Sequence, residues 1–221
     1  MDYTFLNNTY FTTPKDDPKD EIKIEIGDSK QTTEFFPQVK VSRWQNECNV
    51  SYRMIDSDAS KATVTKDATK IIWDKTKMAV HFYDLTDGEG GYEMELVLKS
   101  KPKTNVIQFT LQDKDVEYFY QPFLANQNED GSFWEENETG GRSECPANVG
   151  GSYAVYAKTP KTNWTGGKEY KVGKVGHIFR PKIIDSAGTE VWEELHIENG
   201  ILTITIPQDF LDKAVYPIRS K

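Results

Sequence analysis

Cysteine is scarce in this 221-residue chain: there are only two, Cys48 and Cys145. Lying far apart in sequence, they make neither a zinc motif nor a disulfide framework. They read as free thiols, with a single disulfide as the alternative if the protein matures outside the cell. Long apolar runs are also missing, so no helix is expected to insert in a membrane. Basic charge is in deficit, with 27 Lys and Arg against 35 Asp and Glu, a net charge of -8. That balance argues against nucleic acid as a partner, because phosphate contacts need clustered cations. The opening "MDYTFLNNTYFTTPKDDPKD" lacks the basic start and apolar core of a secretory signal. Retention in the cytoplasm, or release as part of an assembly, is the expectation.

Catalytic signatures are equally thin. Histidine occurs three times, at His81, His177 and His196, each inside a strand-like pattern and none at the helical spacing of a zinc protease. No serine sits in a G-x-S-x-G turn, and "TGGKEYKVGKVG" lacks the order of a phosphate loop. Acidic pairs abound, but in "YEMELVLK" Glu93 and Glu95 alternate with Tyr92, Met94 and Leu96, which places them on the wet face of a strand. No enzyme is expected.

What the chain does contain is strand signal. "EIKIEI" puts Ile22, Ile24 and Ile26 on one face and charges on the other. "FPQVKVSRW" and "CNVSYRM" follow as a hairpin across "QNE". "KIIWD", "MAVHFYDL", "YEMELVLK", "VIQFTLQ", "VEYFYQP", "SYAVYAK", "HIFRPKIID", "VWEELHI" and "ILTITI" are further strands, and "PQDFLDKA" is a short helix opened by Pro207. The fold class is therefore all-β, an antiparallel β-sandwich, one large or two linked, with a short C-terminal helical turn. Residues 1–20, polar and broken by Pro14 and Pro18, read as an extended N-terminal arm that packs on a neighbouring subunit; 21–221 form the sandwich, with a sub-boundary near 56–69.

Two features invite ligands. "NQNEDGSFWEEN" places Asn126, Asn128, Asp130 and Ser132 at alternate positions beside Gly131, a sparse version of a calcium loop. Asn137 stands where such a loop has its bidentate acid, so the expectation is a polar loop without metal or other cofactor. Aromatic residues make up 12% of the chain, and Trp134 and Trp164 fall in loop-like contexts where a ring can stack on a sugar or anchor an interface.

Several separated segments, "ELVLKSKPKTNVIQFTLQ", "EYFYQPF", "VGGSYAVYAKT" and "GHIFRPKIIDSAGTEVWEELHIENGILTITIPQDFLDKAVYPI", resemble a group of uncharacterised β-rich modules. These occur in proteins of tailed phages and uncultured bacteria, and the likeness covers about residues 70–221. The closing "AVYPI" is similar to an "AVYPV" motif of that group, while the stretch holding "NQNEDGSFWEEN" and Cys145 departs from it. The resemblance implies a non-enzymatic structural module of a phage particle, a capsid decoration or tail part. Its partners would be other virion subunits or copies of itself. The alternative is a carbohydrate-binding adhesin module on a bacterial surface, with a glycan as its ligand.

Overall fold

A computed structural model describes residues 3–13, 22–85, 91–163, 168–170 and 173–221. The chain opens with five strands that run as an antiparallel meander: β1 (Thr4–Leu6), β2 (Thr9–Thr12), β3 (Lys23–Ile26), β4 (Gln38–Arg43) and β5 (Cys48–Met54). A second meander follows in an opposing sheet: β6 (Thr63–Asp67), β7 (Lys70–Asp74), β8 (Met78–Asp84) and β9 (Tyr92–Leu98). β10 (Val106–Lys114) returns to the first sheet beside β5.

The chain then leaves both layers to build a side structure. β11 (Val116–Gln121) pairs with β15 (Ser152–Ala157), which pairs with β18 (Lys174–Ile178). Between β11 and β15, β12 (Asn126–Gln127), β13 (Phe133–Glu136) and β14 (Arg142–Cys145) form a small sheet of their own. β16 (Lys161–Asn163) and β17 (Lys168–Tyr170) make a hairpin before β18. β19 (Lys182–Ile184) and β20 (Glu190–Trp192) join the second sheet, and β21 (Glu194–Glu198) and β22 (Ile201–Thr205) complete the first. Helix α1 (Gln208–Lys213) precedes β23 (Ile218–Ser220), which inserts between β19 and β9.

The two large sheets face each other across one core, as the alternation of apolar residues requires. Ile24, Ile26, Val39, Met54 and Phe109 enter from the first sheet, and Ile71, Trp73, Val80, Phe82, Leu96 and Ile218 from the second. Helix α1 closes one end with Phe210 and Leu211, both buried, and Pro207 stands at its N-cap. A smaller cluster of Trp44, Cys48, Val50, Leu111, Val116 and Val155 joins the first sheet to the β11–β15–β18 sheet. Cys48 and Cys145 are both free thiols.

The expected antiparallel β-sandwich is what the chain forms, but four local expectations change. The N-terminal segment is not a loose arm over its described part. Leu6 pairs with Thr9 across Asn7 and Asn8, whose φ values of 51° and 54° suit a tight two-residue turn. β2 then pairs with β3, so the hairpin extends the first sheet. Within 56–69, expected to be a connection, Thr63–Asp67 is the edge strand β6; its exposed, polar residues carry no buried face to announce it. "HIFRPKIID" is broken at Arg180 and Pro181, which separate β18 from β19. "VWEELHI" is broken at Glu193, whose N–H donates to the Pro181 carbonyl while the chain crosses from one sheet to the other.

Candidate binding surface

The β11–β15–β18 sheet turns one face outward, and register fixes what that face carries. Phe119, Ala154 and His177 lie in one row across the three strands. Tyr156 meets Phe119 edge-to-face at 5.5 Å, and His177 stacks on Phe179 at 4.4 Å. Phe119 and Phe179 remain 48% and 52% exposed, unusual for rings of this size. At the margin, Phe123 packs on Phe133 at 4.9 Å with the Arg180 guanidinium over its ring. The glycines beneath it are required: a Cβ on Gly151, whose φ is +82°, would lie 2.7 Å from Phe123 Cζ.

A serine–histidine contact lies in the same sheet, with Ser152 Oγ 2.6 Å from His177 Nε2. Its geometry is that of a brace rather than a nucleophile. The single hydroxyl proton is donated to the Val149 carbonyl, so His177 Nε2 must donate to Ser152, the reverse of what an activating base does. Ser152 is fully buried as well. Burial, aided by Lys174, lowers the His177 pKa and keeps the ring neutral.

The residues singled out as calcium ligands form a hairpin turn in which their polar atoms engage one another. Asn126 Nδ2 donates to the Trp134 carbonyl, and Asn128 Nδ2 donates to Ser132 Oγ. Asp130 Oδ1 accepts from both the N–H and the hydroxyl of Ser132, which holds its carboxyl below the ordinary range. Asn128 Oδ1 accepts from the Arg142 guanidinium at 3.0 Å, placing a positive charge where a cation would have to sit. Among the described residues, no three His, Cys, Asp or Glu side chains gather as a metal site. Trp134 is half-buried, with the Arg142 guanidinium 4.4 Å from its ring centre, so one face is already covered. Trp164 lies outside the described residues.

Two carboxylates overturn the reading of acidic residues as a wet face. Glu95 is only 1% exposed although it points away from the core. His81 Nδ1 lies 3.0 Å from it and Arg219 Nη1 3.2 Å, and these partners outweigh burial and hold its pKa low. Neighbouring Glu93 is pushed up to about 7 by burial and by the Glu95 charge. Such a divergent pair can mark acid–base chemistry. Here, however, both Glu95 oxygens are held by His81 and Arg219, which fits a structural ion network better. Glu193 is fully buried, accepts one bond from Ser220 Oγ, has no partner at Oε1 among the described residues, and is also pushed up to about 7.

In the sequence Phe119 falls within the aromatic cluster "EYFYQPF", whereas Phe179 falls in "HIF", which reads as an ordinary buried strand. Comparison of the chain with family models, with curated proteins and with solved structures finds no match.

Proposed function

We propose that the chain is a non-enzymatic structural module of a phage particle, a capsid decoration or tail-associated part, that docks on neighbouring subunits through its N-terminal edge. The resemblance of residues 70–221 to β-rich modules of tailed-phage and uncultured-bacterial proteins supports the particle setting. The observation that carries the docking is the state of β1. Phe5 is 58% exposed and Leu6 63%, on a strand with no charged residue.

The other outer edges of the two large sheets carry charge. β21 presents Glu194, His196 and Glu198, β6 presents Lys66 and Asp67, and β20 presents an exposed Glu190. Folded proteins guard sheet edges in this way to block strand pairing between molecules. An open, apolar edge suits a contact. Covering the remaining exposed surface of Phe5 and Leu6 would contribute roughly 2–4 kcal/mol before ordering costs, enough for subunits held at high local density.

Sedimentation over a wide range of protein concentration tests this. Association is expected to rise with concentration and to vanish in the Phe5→Lys and Leu6→Lys variants, with the melting temperature kept. A protein that stays monomeric throughout would count against the reading. The second reading, a carbohydrate-binding adhesin module, is favoured by the row of exposed rings about Phe119 and Phe179. A glycan array that is positive for the native protein and negative for Phe119→Ala would establish it.

A further inference from the structure

A separate groove of 590 Å³ is lined by β11 from Val116 to Phe119, by Tyr153 of β15, and by the β21–β22 turn at Asn199 and Gly200. Among the described residues β11 has a strand on one side only, so backbone N–H and C=O groups on its other side have no ladder partner beside the groove that its residues line. The floor is apolar, with Val116 and Tyr153 buried and Tyr118 half-buried beside them. The rim is acidic: Asp113, Glu117 and Glu198, all exposed, face a single cation, Lys158. Asp113 accepts a bond from the Tyr118 hydroxyl at 3.2 Å, and Glu198 lies 3.6 Å from His196. No ion pair holds Glu117 among the described contacts.

We infer that this groove takes an extended, lysine- or arginine-bearing segment of a partner protein, added as a strand to the free side of β11. Three features specify the occupant together. An open strand side selects extended backbone, because only that conformation can continue the ladder. The apolar floor accepts alternate side chains of such a strand. The carboxylate rim favours cations at the remaining positions and repels an acidic segment. Neither the surface nor the partner chemistry is that of the β1 edge, and the inference stands whether or not that edge self-associates.

The test is fluorescence anisotropy with a short labelled peptide of alternating lysine and valine. Saturable binding that weakens as salt rises is expected, lost by about fivefold or more in Glu117→Lys and in Glu198→Lys. Glu34→Lys, in the connection between β3 and β4, makes the same change of net charge outside the groove's lining and is expected to leave binding intact. A peptide N-methylated at alternate amides, which cannot pair with a strand, is expected not to bind. Absence of saturable binding would overturn the inference. So would equal weakening by Glu34→Lys, undiminished binding of the N-methylated peptide, or equal binding of a threonine–valine peptide. Self-association of the chain that disappears in Glu117→Lys would assign the groove to a second copy and overturn it too.

Discussion

Replacing Glu193 by Gln should change how stability depends on pH more than it changes stability itself. The side chain is fully buried, and its folded pKa of about 7 lies above the ordinary 4.5. A raised carboxyl pKa means that the folded state binds its proton more tightly than the unfolded state. The associated stability is complete below pH 4.5 and is lost as pH rises toward 7, about 1.4 kcal/mol per pH unit and roughly 3 kcal/mol in all. In the Gln variant the carbonyl can still accept from Ser220, while the amide nitrogen takes the place of Oε1, which has no partner among the described residues. That substitution has a cost independent of pH. Urea unfolding of both proteins between about pH 4.5 and pH 8.5 reads the difference. The perturbed carboxyls of Glu93 and Glu95 are common to both proteins and cancel in the comparison. The variant should gain roughly 3 kcal/mol on the native protein as pH rises through this window, then hold level. Parallel curves would refute the argument and imply that Glu193 is ionised in the fold, with a cation or water beside it.

Phe210→Ala, which removes the ring that closes the end of the sandwich, should lower unfolding free energy by about 3–5 kcal/mol in a denaturant titration. Gly151→Ala should cost roughly 1–3 kcal/mol, because both its φ of +82° and the nearby Phe123 ring resist a Cβ. Part of that cost should be relieved in a Phe123→Ala background, which a double-mutant cycle of melting curves would measure. Millimolar calcium should leave the melting temperature unchanged, and Asp130→Ala should lower it equally with calcium and with chelator, since Asp130 braces a turn.

The sheets were legible wherever one face of a strand is buried. Ile24 and Ile26 alternate with Lys23 and Glu25, and that period of two survives in the fold because burial enforces it. Where a strand buries little, as in β1 and β6, the pattern carries no such signal. The turn chemistry of Asn7 and Asn8 was the available clue to the N-terminal hairpin. Sheet crossings were invisible for a different reason. Glu193 looks like any strand residue until the chain around it has to serve two layers at once. The same limit applied to the surface. "EYFYQPF" shows that aromatic residues cluster, but whether Phe119 is covered depends on which sheet lies above it, a long-range fact. Trp134 shows the converse, a ring in a loop-like context whose one face is taken by Arg142 from the next strand.

The position of β23 sets an order of events for biosynthesis. Ile218–Ser220 fills the gap between β9 and β19, so the hairpin of β19 and β20 has no ladder to the rest of its sheet until that strand arrives. On the ribosome the β6–β9 meander emerges early but must wait for the residues around 220 before the layer can close. During that interval the flank of β9 is an open strand in a crowded cell. Truncation a few residues short of Ile218 would therefore act less like trimming a tail than like withdrawing a keystone, and its first symptom would be aggregation of newly made chains.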